Sequence, residues 1–327
     1  MDRLEAMTFL VATVEAGSFS AAGRRLGVPL PTVSRRIGEL EDHLKARLLV
    51  RSTRALALTD AGAAYLARCK SILEQVAETE RAAGGEYDTP RGELVMTAPI
   101  VFGRLHLLPI VNAFLASHPE IAVRLVLSDR NLQLVDEHID VALRIGALAD
   151  SSMVATQVGT VSRVVCGSPD YFLRHGMPHT PAELADHACV NCEAESPAAV
   201  WSFRAAGRRA LVPITVRPRL SVTTAEAAMD AAMAGVGLTH VLSYQAAQAV
   251  EQGRLQLALR AYEPEPLPVN LLHTGQKPLP LKTRSFIEFA AMRLRSVLAG
   301  DTQRLRARAA PAPRPARRPA KRRAKPP

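Results

Sequence analysis

Apolar positions recur along the first 83 residues at spacings of three and four, the period of helices that bury one side. Leu4, Met7, Val11 and Val14 define a first amphipathic helix. Phe19, Ala22 and Leu26 define a short second one, with Ser18 placed to cap its start and Gly27 to end it in the left-handed conformation. Val33, Ile37, Leu40 and Leu44 define a third. Pro29 and Pro31 stand where its first turn begins, a place where proline forfeits no hydrogen bond. Gly23 and Gly27 leave room for the second and third helices to cross closely. Over residues 48–59 the period changes to alternation, as in a short hairpin with Arg51, Ser52, Thr53 and Arg54 at its tip. Thr59 then caps a helix over 60–83, whose Leu66, Cys69, Leu73, Val76, Glu80 and Ala83 make a coiled-coil-like seam about three heptads long. Gly84 and Gly85 stop it ahead of the linker YDTPRG.

From residue 91 the pattern becomes one of short apolar runs. ELVMTA, IAVRLVL and IDVALRI are separated by helical stretches at 103–117 and 130–138, an order that predicts a parallel sheet covered by helices. A second set follows: RVVCGS, a helix over 181–186 with Thr180, Pro181 and Glu183 as its start, ACVNC, and strands near 200–220. A further helix begins at Thr223, with Glu226 as the partner in a capping box. GVGLTHV, RLQLALR and PVNLLHT read as the last strands, and 281–299 as the closing helix.

Two short helices joined at Gly27 form a helix-turn-helix, whose second helix lies in the DNA major groove. On that helix Arg35 stands opposite the buried stripe, with Pro31, Thr32 and Gly38 beside it and Ser34 and Arg36 on the flanks. Arginine can pair bidentately with guanine, and hydroxyls contact phosphate or base edges. The plain alternative is a solvated helix with scattered charge. Arg51 and Arg54 at the hairpin tip suit a wing that enters a minor groove. In the second half, ligands of open parallel sheets sit outside the carboxyl ends of strands. Thr97, Pro99, Ile100, Ser128, Arg144, Thr223 and Thr224 occupy such places. Arg144 suits a carboxylate ligand or, equally, a structural salt bridge with an acidic neighbour. Ile100 and Val101 leave a more apolar ligand equally open.

The chain of 327 residues has room for about two domains. No charged-then-apolar signal opens it and no uninterrupted apolar run approaches the length of a membrane span, so a cytoplasmic protein with no membrane partner is expected. The net charge of +10 is local: residues 301–327 carry ten Lys or Arg against one Asp, leaving the other 300 residues at only +1. Such a Pro-, Ala- and Arg-rich tail, taken as 300–327, cannot build a core and reads as a disordered basic arm. It either adds salt-dependent, non-specific DNA affinity or is a solvated appendage.

Four cysteines occur, at 69, 166, 189 and 192. Cys189 and Cys192 form C-x-x-C with His187 nearby, a redox pair or half a zinc site in outline. No second pair completes a metal site, so coincidence within a small-residue strand is the plainer reading and thiol sensing the alternative. No phosphate loop, G-x-S-x-G elbow or H-E-x-x-H motif appears, and the histidines are scattered singly. Nothing convergent suggests catalysis, and neither a cofactor nor a metal is expected. A binding protein of the periplasmic type is the competing class, disfavoured by residues 1–60 and by the absent export signal.

The stretches MDRLEAMTFLVATVEAGSFSAAGRRLGV, PTVSRRIGELE and RSTRALALTDAG closely resemble the LysR-type transcriptional regulators. The resemblance continues through PRGELVMTAPIVFGRLHLLPIV, EHIDVALRIGALADSSMVA and AAMAGVGLTHV, and covers about nine tenths of the chain, all but the tail. It implies an all-α winged helix-turn-helix at 1–59 and a long dimerising linker helix at 60–90. After them comes an α/β effector-binding domain of the two-subdomain periplasmic-binding-protein kind at 91–299. The subdomains would be 91–161 with 267–299, and 162–266, the chain crossing twice near 161 and 266. It further implies sequence-specific binding of double-stranded DNA through Pro31, Thr32, Ser34 and Arg35, with Arg51 and Arg54 from the wing. A small-molecule effector in the cleft, and self-association into dimers and tetramers, are also implied, with RNA polymerase a further candidate partner. The chain departs from the family at Pro29 and Leu30, where serine and glutamine are common, and at Gly23, where alanine is usual. Hydroxyl residues of several relatives are replaced by Ile100 and Val101.

Overall fold

The chain opens with three helices whose starts are set by local signals. α1 (Arg3–Glu15) is capped by Asp2, whose carboxylate accepts from the amides of Leu4 at 2.9 Å and Glu5 at 3.3 Å. α2 (Phe19–Leu26) begins where Ser18 Oγ accepts from the Ala21 amide at 3.2 Å and ends at Gly27 with φ of 69°. α3 (Leu30–Leu44) has no side-chain cap, its first turn being set by Pro31. Phe9, Leu10, Ala22, Val33, Ile37 and Leu40 close one core between them. A methyl group on Gly23 would lie 2.8 Å from the Val28 carbonyl oxygen, so this glycine lets the chain turn tightly into α3.

The computed structural model describes residues 2–51, 56–83, 89–130, 134, 137, 139–148, 153–194, 196–205, 210–275 and 279–308. β1 (Leu49–Arg51) and β2 (Leu56–Leu58) pair antiparallel as the expected hairpin, whose tip at 52–55 lies outside the described residues. α4 (Asp60–Ala83) springs from the hairpin's base. Thr59 Oγ1 donates to the Arg47 carbonyl at 2.7 Å and accepts from the Gly62 amide at 2.9 Å, and a Cβ on Gly62 would overlap the Leu48 carbonyl. The expected seam divides: Leu66 and Cys69 pack into the N-terminal core, whereas Leu73 and Val76 are half-buried, Ile72 is exposed and Glu80 is solvated. Ala83 closes the helix.

The second half begins with β3 (Gly92–Ala98), then α5 (Ile100–Phe102), a π-helical turn Gly103–Leu107 and α6 (Leu108–Ser117). This continuous helix starts earlier than expected at 103 and is long and apolar enough to cross a membrane by composition alone, with mean hydropathy 1.5. It instead buries Phe102, Leu107, Val111 and Phe114 on a sheet. β4 (Ile121–Leu127), β5 (Val141–Ile145), β6 (Met153–Val161) and β7 (Arg163–Gly167) follow, then α7 (Pro169–His175). Most of the helix expected at 130–138 lies outside the described residues. The helix expected at 181–186 is a 3-10 turn, at whose start Thr180 Oγ1 donates to the Glu183 carboxylate at 2.9 Å and caps no amide. β8 (Cys189–Cys192), β9 (Val200–Arg204), β10 (Leu211–Thr215) and β11 (Pro218–Val222) lead to α8 (Ala225–Met233). That helix is capped one residue later than expected, by Thr224 on the Ala227 amide at 3.3 Å. β12 (Leu238–Leu242), α9 (Ser243–Glu251), β13 (Gln256–Ala258), β14 (Leu267–Thr274) and α10 (Leu281–Arg308) complete the order.

Two five-stranded sheets result, ordered β4-β3-β5-β14-β6 and β11-β8-β12-β7-β13. Neither is purely parallel as expected. β3 runs parallel to β4 and β5, but β14 returns from the second sheet and inserts antiparallel between β5 and β6. In the second sheet β7 runs antiparallel to β12 and β13. The chain leaves the first sheet at Ser162 and re-enters it at Leu267. α10 continues through Gly300 to Arg308, so helix persists where a disordered tail was expected from 300. Residues 309–327 lie outside the described residues.

Candidate DNA interface and effector cleft

The packing of α3 decides which of its side chains face outward. Val33, Ile37 and Leu40 are buried, which turns Pro31 and Arg35 to solvent and leaves Thr32 and Ser34 half-buried. Arg35 is 59% exposed and lies 2.7 Å from Glu39, one helical turn on. A Cβ on Gly38 would meet nothing within 4 Å, so the surface beside Arg35 is unobstructed. Arg36 departs from its expected place on this face. Its guanidinium turns back to Glu5 of α1 at 2.9 Å and Glu39 at 3.3 Å, and is only 23% exposed, which makes it a brace between helices. Arg51 belongs to β1, while its side chain and Arg54 fall outside the described residues.

Glu41 went unnoticed in the sequence. Its Oε1 accepts from the amides of Leu48 at 2.8 Å and Leu49 at 3.0 Å, fixing the hairpin to the helix that would read DNA. Glu15 performs a similar service, pairing at 2.9 Å with both Arg25 of α2 and Lys70 of α4. Burial works to raise the Glu15 pKa, but these two cations outweigh it and hold the carboxyl below its ordinary range.

Thr97, Pro99, Ile100, Ser128 and Arg144 lie on or just after strands of the first sheet, whereas Thr223 and Thr224 follow β11 of the second. Thr97 is fully buried and its hydroxyl makes no hydrogen bond. By strand register Thr97 lies opposite Ala142, two residues before Arg144 on the same face, and Arg144 lies opposite Asn270. The amide of Ile100, expected to be open to a ligand after Pro99, donates to Asp129 Oδ1 at 3.0 Å. Ser128 Oγ accepts from the Arg130 amide at 3.1 Å, and Thr224 Oγ1 is occupied as a helix cap next to the exposed Thr223. Burial depresses the pKa of Arg144 while the charge of Glu137 works against it. The two halves touch through Arg104 and Glu226 at 3.3 Å and through Phe102 set edge-on to Tyr244 at 5.1 Å. At the crossing, the Ser162 amide donates to Ser243 Oγ at 3.1 Å and the Ser243 amide to the Ser162 carbonyl at 2.8 Å.

Cys189 and Cys192 lie three apart on a strand and face opposite ways, one packing with Tyr171 and Trp201, the other with Ala225 and Ala228. Burial pushes the Cys189 and Cys166 thiols up to about 12 and Cys69 up to about 11, so each holds its proton at neutral pH. Among the described residues no cluster of three His, Cys, Asp or Glu side chains is placed to hold a metal.

Comparison with known proteins agrees with this geometry. The family model for bacterial regulatory helix-turn-helix proteins of the lysR family matches residues 4–63, and that for the LysR substrate binding domain matches 88–295. An HTH-type transcriptional regulator of Xanthomonas campestris pv. campestris is 35% identical over 288 residues, covering 87% of this chain and 83% of its own. An HTH-type transcriptional repressor of Pseudomonas aeruginosa is 33% identical over 291 residues, covering 88% and 91%. Among solved structures, full-length AphB, a Vibrio cholerae virulence activator, matches with TM-score 0.56 and 28% identity over 88% of this chain and 98% of that one. CrgA of Neisseria meningitidis, a LysR-type transcriptional regulator, matches with TM-score 0.57 and 29% identity over 89% and 98%.

Proposed function

The chain belongs to the LysR-type transcriptional regulators, and from that premise we propose which of its residues meet DNA and how a ligand acts on it. Residues 1–59 form the reading head. Pro31, Thr32, Ser34 and Arg35 contact bases or phosphates in the major groove, and Arg51 and Arg54 of the wing approach the minor groove. The single observation that carries this is the outer face of α3, where Arg35 stands 59% exposed beside the open surface at Gly38. Arg36 is left out because its charge is spent between Glu5 and Glu39.

Residues 60–90 join two copies, and 91–299 bind a small-molecule effector between subdomains 91–161 with 267–299 and 162–266. Thr97, Pro99, Ile100, Ser128, Arg144, Thr223 and Thr224 border that cleft. Effector binding shifts the population between open and closed subdomains and so changes the spacing of paired reading heads on DNA. Dimers pair into tetramers, the complex works in the cytoplasm, and RNA polymerase is its downstream contact. The test is to sequence the genomic fragments that the purified protein retains and to repeat the measurement with Arg35→Ala. Removing a base contact worth about 1–3 kcal/mol weakens retention by about 5- to 150-fold on specific fragments. A variant that binds as tightly as the parent removes Arg35 from the interface.

A further inference from the structure

The turn between α2 and α3 ends in three consecutive apolar residues that the fold leaves outside. Pro29, Leu30 and Pro31 are all exposed, Leu30 at 47%. A lone exposed leucine is ordinary, but an unbroken apolar run on the surface is a fault unless something covers it. The two prolines have work in the fold. The Pro29 carbonyl accepts from the amides of Thr32 at 3.0 Å and Val33 at 3.4 Å, and Pro31 sets the first turn of α3. Leu30 is different. Val28 and Val33 on either side of it pack into the three-helix core, whereas Leu30 does not belong to that cluster. It is the first residue of α3 and stands one helical turn ahead of Ser34, with Arg35 and the open surface at Gly38 farther along. Side chains of a helix lean toward its N-terminus, so Leu30 reaches forward at the end of the helix that meets base edges in this motif.

We propose that Leu30 is a specificity-determining residue that reads thymine, seating the C5 methyl of one thymine in the operator against its isobutyl group. Leucine neither donates nor accepts a hydrogen bond, so it gains nothing at a phosphate. In the major groove thymine alone among the four bases carries a methyl group. A purely polar base edge pressed on Leu30 would lose its water with no hydrogen bond in exchange, and is rejected. The thymine methyl instead leaves water together with the leucine. The inference rests on the reading of α3 as the helix in the major groove and adds the base chemistry recognised at its leading end. Arg35 and Leu30 then divide the work, one offering a charge-assisted donor and the other an apolar contact.

The experiment uses the full chain and a duplex carrying the sequence shared by the genomic fragments it retains. Each thymine of that sequence is replaced in turn by deoxyuridine, which deletes the methyl and keeps every hydrogen-bonding group. At one thymine the replacement weakens the parent about fourfold, the worth of burying one methyl. Leu30→Ala binds the thymine and uracil duplexes equally at that position and keeps the parent's response at every other. Leu30→Gln, whose amide suits an adenine edge, loses the thymine preference there and gains one for adenine. Circular dichroism establishes that both variants are folded, and the parent's own response to uracil needs no variant. The proposal is overturned if no uracil replacement weakens the parent, or if Leu30→Ala keeps the full methyl response, which would move the contact to Pro31 or Thr32. These failures are distinct from failure of the wider reading. A parent that selects its sequence yet ignores the methyl removes only the role of Leu30, whereas a parent that retains all fragments alike removes the reading helix itself.

Discussion

Lys282→Met tests whether a buried charge ties the linker helix to the C-terminal domain. The ammonium, 7% exposed, lies 2.6 Å from Glu74 of α4 and 3.9 Å from Asp140, and donates also to the Glu93 carbonyl. Asp140 in turn accepts from the Val95 amide at 2.8 Å, so one lysine joins α4, β3 and the entry to β5. Methionine keeps the apolar stem and deletes the charge. Breaking a buried pair from one side costs about 3–5 kcal/mol, but Glu74 and Asp140, 31% and 27% exposed, can rehydrate in part. We therefore expect about 2–3 kcal/mol, which lowers the melting temperature of a domain of about 200 residues by about 4–12 °C. Scanning calorimetry of the full chain measures it. The pH dependence adds an independent check. Burial raises the Asp140 pKa and Lys282 opposes this, so the variant's Asp140 rises further. A raised carboxyl pKa in the folded state contributes stability at low pH that is lost as pH rises through that pKa. The deficit is accordingly smaller at acidic than at neutral pH, and Asp140→Asn in the variant background recovers part of it. A melting temperature within about 1 °C of the parent at both acidic and neutral pH would refute the charge-based tie, given the slope of about 2–4 °C per kcal/mol.

Three further outcomes follow from particular interactions. His240 is buried against Trp201 and Phe203 and burial takes its pKa down to about 3, so the unfolded chain binds the proton first and stability falls below about pH 6.5 by about 1.4 kcal/mol per unit. His240→Phe should flatten the loss seen by urea denaturation between pH 6.5 and 5; an unchanged slope assigns it to other groups. Glu41→Ala leaves the Leu48 and Leu49 amides unpaired at about 1–3 kcal/mol and should speed their hydrogen exchange and weaken DNA binding, whereas Glu41→Gln keeps an acceptor and most of the affinity. Unchanged exchange in the alanine variant would detach Glu41 from the wing. Truncation belongs after Arg308, where α10 ends, and removes seven Lys or Arg. The dependence of log affinity on log salt should flatten by about 0.9 for each phosphate that is no longer neutralised, and an equal slope leaves those residues no role on DNA.

The N-terminal unit could be read from its sequence because its determinants are local. Ser18, Gly27 and Pro31 act within a turn of where they stand, and the stripe of Val33, Ile37 and Leu40 needs only the helical period. The sheets were half legible. Alternation and apolar runs locate strands, but nothing local tells β14 to enter between β5 and β6 in the reverse direction, since that pairing is made across more than 100 residues. The boundary set at 300 failed for a related reason. It followed net charge, yet Gln303, Arg304, Leu305 and Arg306 are good helix formers, and α10 runs on to Arg308.

The site shows the same division more sharply, because a charged residue's role depends on what neutralises it. Arg36 and Arg35 adjoin on one helix and look equivalent as sequence. Glu5, 31 positions earlier, holds Arg36 between two helices, whereas Arg35 pairs with Glu39 along its own helix and stays 59% exposed. The amide of Ile100 looks like an open helix start until Asp129 is folded against it. Lys282 and Glu74 stand 208 residues apart, and no periodicity joins them. Helical period and capping thus locate the helix-turn-helix, while the pairing of charges brought from distant segments decides which of its arginines stays exposed.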